Sequence, residues 1–173
     1  MDRLDKISVL SIVVLVISAT VLIFINSNSV ESKNAPTQQR AEQRFHSPEL
    51  DKKIKVANEL LTNNNLEKAE LLIKNLVAEY PFDGSPYMLL GDLYVRNLKP
   101  IQAMLAYRNA VDLNPDYLDK KTSMFQGKKI KYTTKEAKAA IKRGLEQNPD
   151  DEDLTEQRKT LYYMLRKIAG SCG

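Results

Sequence analysis

Three equally spaced prolines constrain the fold of this 173-residue chain more than any other feature. Pro81, Pro115 and Pro149 each follow an amphipathic segment, and these segments read LEKAELLIKNLVAEYP, PIQAMLAYRNAVDLNP and TKEAKAAIKRGLEQNP. Apolar residues at helical spacing, closed by a proline, predict a helix that ends there. Because the helical unit recurs at the constant interval between these prolines, hereafter the repeat period, the sequence predicts an array of stacked helix pairs.

Composition favours the same all-α fold. Glycine and proline together number 13 and aromatic residues make up 7% of the chain, which is unusual for a sandwich or a barrel. One histidine and one cysteine are too few for a disulfide framework, a His/Cys metal site or an attached haem. We therefore expect no metal, no cofactor and no catalytic residues.

The middle unit, residues 84–117, carries a recognisable pattern of large and small residues. Its positions are Tyr87, Leu90, Gly91, Tyr94, Ala103, Tyr107, Ala110 and Pro115. In this pattern the chain resembles tetratricopeptide repeat (TPR) proteins, whose known period equals the interval between the three prolines. The resemblance implies helix pairs in which Gly91 and Ala103 allow close approach, and it implies protein binding rather than catalysis.

The flanking units, residues 50–83 and 118–151, match the pattern less well. In the first, Lys53 replaces the large aromatic residue, as suits an N-terminal cap with no preceding hairpin. In the third, Gly127 interrupts the first helix, so we expect a short helix to about Gln126, a loop over 127–132 and a second helix capped by Thr133 with Glu136. A capping helix over 152–169 should close two to three hairpins within a domain at 49–173.

The N-terminal segment predicts a membrane anchor over residues 1–26. Ile7 to Ile25 holds 19 uncharged residues, about 28 Å of helix, close to the ~30 Å hydrocarbon core. A cleaved signal peptide is the alternative. Arg3 and Lys6 precede the span, which favours a cytoplasmic N-terminus. No Asn-x-Ser/Thr sequon occurs, so we expect a single-pass protein of a bacterial inner membrane with its C-terminal domain in the periplasm.

Two further features belong to this N-terminal part. Ser8, Ser11, Leu15 and Ser18 share one helix face, which allows packing against another membrane helix or hydroxyl bonds to the helix's own backbone. Residues 27–48 are polar without apolar periodicity, which predicts a flexible linker with a span of roughly 25 Å. His46 lies in this linker, where we expect it to be solvated.

The resemblance to TPR proteins also implies a binding groove along the first helices of the units. Its positions here are Ile54, Lys55, Asn58, Leu61, Thr62, Met88, Leu89, Asp92, Val95 and Arg96. The carboxylate clamp of some family members is absent, because Ile54 and Leu89 stand where a lysine and an asparagine are needed. An apolar strip with polar edges suits an amphipathic helix or an extended apolar peptide. The alternative is that Met88, Leu89 and Val95 are buried.

Basic residues concentrate in the third unit. Residues 118–149 hold nine basic and three acidic residues, a net charge of +6, whereas the remainder of the chain sums to −2. Lys128, Lys129, Lys131 and Lys135 form the predicted patch, for which anionic lipid, an acidic partner and a plain solvated face remain open. Nucleic acid is disfavoured, since no aromatic-interleaved recognition module accompanies the lysines. Cys172 has no partner cysteine in the chain, so we expect a free thiol, with an intermolecular disulfide outside the cytoplasm as the alternative.

These features together predict a binding protein. The leading hypothesis is a membrane-tethered TPR adaptor that holds a protein partner during assembly of a membrane or exported complex. The alternative is a permanent accessory subunit of a translocon, a pilus or the cytochrome c maturation machinery, held through its membrane helix. Neither requires a small-molecule substrate.

Overall fold

The computed structural model describes residues 47–170, and all regular structure within that range is helical. The helices are α1 (Pro48–Thr62), α2 (Leu66–Glu79), α3 (Gly84–Arg96), α4 (Pro100–Leu113), α5 (Gly127–Gln147) and α6 (Glu152–Gly170), with a 3₁₀ turn at Pro115–Tyr117. The prediction of an all-α fold is confirmed for these residues.

Each helix packs against the next one along the chain, and α1 also contacts α3 while α4 contacts α6. The buried side chains form two clusters, one built by α1, α2 and α3 and the other by α3 to α6. Helix α3 belongs to both, because Leu89 and Leu93 enter the first cluster and Met88 enters the second. Helix α3 therefore joins the two halves of the domain.

The repeat period is present in the backbone hydrogen bonds. At the end of α1, the N–H of Asn65 donates to the carbonyl of Leu60 at 2.9 Å; at the end of α3, the N–H of Lys99 donates to Tyr94 at 2.9 Å. Between these partners Asn64 and Leu98 both have φ 56°. A left-handed residue with this bond is the Schellman motif that ends a helix. The turns after α1 and α3 are thus the same turn, separated by one repeat period.

Burial repeats with the same period. Ala69, Ala103 and Ala137 are each 0% exposed, on α2, α4 and α5. Between α3 and α4 the approach is closer still, since a Cβ atom on Gly91 would lie 2.2 Å from Cε1 of the buried Tyr107 ring. Small residues at these positions let neighbouring backbones come together, as the sequence pattern indicated.

The third unit departs from its predicted form. No helix covers residues 118–126, which follow the 3₁₀ turn and form a series of turns. The expected loop at 127–132 is helical. Thr133 does not cap a helix either; it lies within α5 and is 4% exposed. The prediction of a short helix, a loop and a capping box was therefore wrong.

Local contacts explain the difference. The Thr122 hydroxyl donates to the carbonyl of Asp116 at 2.9 Å, and the N–H of Gln126 donates to that of Tyr117 at 2.8 Å, so the segment closes on itself. Helix α5 then starts at Gly127, where a Cβ would meet the Phe125 ring at 2.4 Å. Ile130, which is 0% exposed, packs this early turn into the core. Burial outweighs the weak local signal for a loop.

Helix α6 closes the described part of the chain. The N–H of Leu154 donates to the Asp151 carboxylate at 2.8 Å, and Glu152 and Asp153 place negative charge at the positive end of the helix. Leu161, Met164 and Ile168 are buried on one face of this helix. The helix covers the second cluster.

Candidate binding surfaces

The first part of the predicted groove is an open depression on α1. Ile54 is half-buried, while Lys55, Asn58 and Thr62 are exposed, and all four line a shallow concavity of about 440 Å³. Helix α1 turns this face outward because Leu50, Ala57 and Leu61 occupy its core side. The side chains that face solvent can make both apolar and hydrogen-bonding contacts.

Three of the predicted groove residues are core. Leu61, Met88 and Leu89 are 2%, 6% and 4% exposed. Met88 packs with Met104 and Tyr107 in one cluster, whereas Leu61 and Leu89 lie in the other. The alternative of burial holds for Met88 and Leu89 but not for Val95, which is 40% exposed. Leu61, which that alternative did not include, is buried as well, because the helices cross closely enough to enclose these side chains. They are not available to a partner.

The remaining groove positions lie on α3. Val95 is 40% exposed and Arg96 is exposed, both in the last turn of the helix. Arg96 follows Thr62 by one repeat period, so the two occupy the same place on successive first helices, and α1 contacts α3. The accessible surface therefore combines the α1 depression with the end of α3; its residues, hereafter the α1–α3 face, are Ile54, Lys55, Asn58, Thr62, Val95 and Arg96.

Asp92 makes internal contacts. Its carboxylate accepts from the Tyr107 hydroxyl at 2.5 Å and from Lys129 Nζ at 2.7 Å on one oxygen and 2.8 Å on the other. The Lys129 ammonium also lies 5.7 Å from the centre of the Tyr107 ring. Burial, reinforced by the Asp92 charge, raises the pKa of Tyr107 well above its ordinary value, so its proton stays in the hydrogen bond.

The basic patch is rearranged by the same contact. Lys129 points away from the other lysines, towards α3, while Lys128, Lys131 and Lys135 are exposed. Two further exposed lysines, Lys138 and Lys142, continue their row at spacings of three and four residues. The lysine row, as we call it, consists of Lys128, Lys131, Lys135, Lys138 and Lys142. Sequence reasoning did not include Lys138 and Lys142 in the patch, because it assigned residues 127–132 to a loop and so separated Lys128 and Lys131 from the lysines of the following helix. The spacing carries the signal once α5 starts at Gly127.

A crevice between α5 and α6 borders the lysine row. It holds about 350 Å³, with Ile141, Leu145 and Leu161 among its apolar residues. Lys138, Lys142, Glu146, Arg158 and Tyr162 complete its lining. The basic surface thus continues from α5 onto α6.

A further cluster between α4 and α6 was not foreseen. Asp112 accepts from Arg108 Nε at 3.0 Å and from the Tyr163 hydroxyl, and Lys167 Nζ lies 3.7 Å away. Both cations lie over the Tyr163 ring, at 5.6 Å and 5.4 Å from its centre. Since every charged group in it has an internal partner, this cluster ties α6 to α4.

Several predicted residues lie outside the described range: the anchor face of Ser8, Ser11, Leu15 and Ser18, together with His46 and Cys172. Between residues 47 and 170, no helix combines the length and apolar character needed to cross a bilayer. In that range, no group of three or more His, Cys, Asp or Glu residues could hold a metal ion.

Comparison of the sequence with protein-family models and with curated proteins gives no match.

Proposed function

We propose that the described helices form a short TPR-type solenoid, and that the protein is a membrane-tethered adaptor binding a protein partner along its α1–α3 face. The repeat supports this proposal: the turns after α1 and α3 share one hydrogen-bond pattern at an offset of one repeat period, and buried alanines recur at the same offset. Stacked helix pairs present successive first helices side by side. Such a surface suits an extended or helical peptide.

The observation that carries the binding role is the exposure of one pair of equivalent positions at the ends of α1 and α3. Thr62 and Arg96 are separated by one repeat period and both face solvent, next to the exposed Asn58 and Val95. With Leu61, Met88 and Leu89 in the core, the face is mainly polar, and its apolar contacts come from Ile54 and Val95. The ligand this face fits is an amphipathic segment with a narrow apolar edge.

The tether is the second half of the proposal. The 19 uncharged residues Ile7–Ile25 are long enough to span a bilayer, and the polar segment that begins at residue 27 links them to the helical domain, whose first helix starts at Pro48. The charge bias across the span favours the domain on the outer side of a bacterial inner membrane. In this arrangement the adaptor keeps its partner near the membrane during assembly of a larger complex.

Site-specific photo-cross-linking of the full chain tests the binding role. A cross-linking residue at Asn58 or Val95 should capture the same protein, while one at Leu71, which is 67% exposed on α2, should not. A Thr62→Glu/Val95→Glu variant should no longer form the cross-link to this protein but should keep its helical circular dichroism. The control Leu71→Glu should keep both the cross-link and the helical signal. Equal capture from all three positions would contradict a specific α1–α3 face.

The anchor is tested separately. Residues 1–48 fused to an unrelated soluble domain should remain in the membrane after alkaline extraction without capturing the cross-linked protein. If this fusion co-purified with the same partner, the accessory-subunit alternative would replace the adaptor, since the membrane helix would then carry recognition.

A further inference from the structure

The lysine row is a straight, one-sided feature of α5. Its members follow one another at intervals of three, four, three and four residues, which places them within about 80° of the helix circumference at 100° per residue. From Lys128 to Lys142 the row runs for roughly 21 Å along the axis at 1.5 Å per residue. Five ammonium groups therefore face the same direction from a rigid support.

The core fixes the direction of the row. Ile130, Thr134, Ala137 and Ile141 are all buried on the adjoining side of α5, so the helix cannot rotate its lysines inward. Lys129, on another flank, is held by Asp92. The row is thus a permanent surface of the folded domain.

Acidic side chains neutralise little of this charge. Lys142 has one partner, Glu146, at 3.7 Å, and both side chains are more than 60% exposed, so the pair is weak. Glu136 is exposed on the flank of α5, where Arg143 lies nearby on the helix surface. The Asp112 and Asp92 carboxylates are engaged with other cations. A positive potential along the row follows.

Two exposed tyrosines accompany the lysines. Tyr132, 65% exposed, lies one turn from both Lys128 and Lys135, and Tyr162, 53% exposed, lines the crevice that Lys138 and Lys142 border. Tyrosine is enriched at membrane–water interfaces, where its ring lies at headgroup depth, and a lysine can lay its stem along apolar surface while its ammonium reaches the headgroup phosphate. The row therefore combines both contacts that a headgroup layer offers.

We propose that the lysine row, with Tyr132 and Tyr162, binds anionic phospholipid headgroups and lays the domain against the bilayer surface. Charge complementarity favours this occupant, because anionic headgroups attract a cluster of lysines that project from one side of a helix. The inference rests on the tether of the proposed function, whose span of roughly 25 Å keeps the domain within reach of the headgroups. An acidic protein is the competing occupant.

The test uses the full chain with one fluorescent label. Cys172, the only cysteine, is replaced by serine, and the label is attached through Ala139→Cys, beside the row, or through Ala78→Cys on α2. Both alanines are exposed. The protein is placed in nanodiscs of phosphatidylcholine alone or with added phosphatidylglycerol. Quenching by a lipid-borne spin label measures contact with the surface.

We expect quenching at position 139 but not at position 78, and only in nanodiscs that contain phosphatidylglycerol. The quenching should fade as the salt concentration is raised to about 0.5 M, because the Debye length there is below about 5 Å. The variant Lys131→Gln/Lys135→Gln/Lys138→Gln should abolish it. The control Lys52→Gln/Lys68→Gln/Lys99→Gln removes the same charge from exposed lysines elsewhere and should leave quenching intact. Circular dichroism should be the same for both variants.

Failure of the anchor and failure of the row give different results. If the chain does not enter nanodiscs, the proposed membrane tether is wrong. The same labelled proteins are then mixed with preformed anionic vesicles. The variant with three lysines of the row replaced should still bind these vesicles roughly a hundredfold more weakly than the control variant. Equal quenching in both lipids, or in both triple variants, overturns the inference. A response to a polyglutamate peptide and none to anionic lipid would assign the row to an acidic protein instead.

Discussion

Lys129 forms an ion pair with Asp92 across 37 residues of sequence, with its Nζ atom 2.7 Å from Oδ1 of the carboxylate. The same Oδ1 accepts from the Tyr107 hydroxyl, so one side chain of α3 binds one residue each from α4 and α5. Both charged side chains are partly shielded, at 37% and 26% exposure. This contact holds the early turn of α5 against the middle unit.

The first prediction concerns this ion pair. Lys129→Met should lower the free energy of unfolding by about 1–2 kcal/mol, because the partly shielded Asp92 carboxylate then loses the charged partner that Lys129 provides. Lys128→Met, at the neighbouring exposed position, should change it by less than about 0.5 kcal/mol. Chemical denaturation of both variants measures the difference.

A double-mutant cycle with Asp92→Asn completes this test. If Lys129 acts through Asp92, the double variant should be less destabilised than the sum of the two single variants. Strict additivity, or equal effects of the two lysine substitutions, would show that the contact contributes no coupling.

The sequence predicted the repeated part of the fold better than its irregular part. Positions such as Gly91, Ala103 and Tyr107 are dictated by helix contacts that recur with the repeat period, so their residue types alone indicate their places. Segment 118–126 and the start of α5 depend on contacts with distant residues, such as Lys129 with Asp92. Local propensity carries no record of these contacts, and the start of the helix was therefore placed too late, at Thr133 instead of Gly127.

The groove shows the same limit. A position on a helix face can be read from periodicity, but whether Met88 faces solvent or core depends on how closely α4 approaches α3, and that distance is set by Gly91 and Tyr107 together. Sequence reasoning placed the candidate groove on α1 and α3 and left open the burial of Met88 and Leu89.

The second prediction tests the close approach itself. Gly91→Ala should be destabilising, because overpacking against the fixed Tyr107 ring costs about 1–3 kcal/mol and exceeds the ~1 kcal/mol that alanine gains over glycine within a helix. Gly144→Ala meets only the end of the flexible Leu154 side chain, which can rotate away, so it should be neutral or stabilising. Thermal unfolding followed by circular dichroism compares the two. A stabilised Gly91→Ala would mean that α3 and α4 can separate without loss.

The third prediction is a pH dependence that originates at Lys53. This lysine reaches from α1 to Glu79 of α2 at 2.8 Å and to Glu49 at 3.0 Å. The hydrogen bond with Lys53 lowers the pKa of Glu79, and the bonds with Glu79 and Glu49 raise the pKa of Lys53. A glutamate whose pKa is lowered by folding stabilises the fold when the pH is above its unfolded pKa of about 4.3. This stabilisation disappears as the pH falls through the lower pKa of the folded state.

Acid titration of stability measures this effect. The parent protein should lose more of its free energy of unfolding between about pH 5 and pH 3 than Glu79→Gln does. At alkaline pH the lysine sets the limit. Lys53 stabilises the fold fully below its unfolded pKa of about 10, and this stabilisation is lost as pH rises through the raised pKa of Lys53 in the folded protein. Parallel acid curves for the parent and Glu79→Gln would contradict the assignment.

The fourth prediction exchanges the left-handed residues of the two equivalent turns. Asn64 and Leu98 share φ 56°, but asparagine tolerates this region whereas a leucine there costs roughly 1–2 kcal/mol. Leu98 has no compensating burial, since it is 88% exposed. Leu98→Asn should therefore raise the free energy of unfolding by about 0.5–1 kcal/mol, and Asn64→Leu should lower it by a similar amount, as urea denaturation of each variant will measure. A double exchange should restore the parent value, because the turns repeat each other; destabilisation by Leu98→Asn would instead show that this exposed leucine makes a stabilising contact.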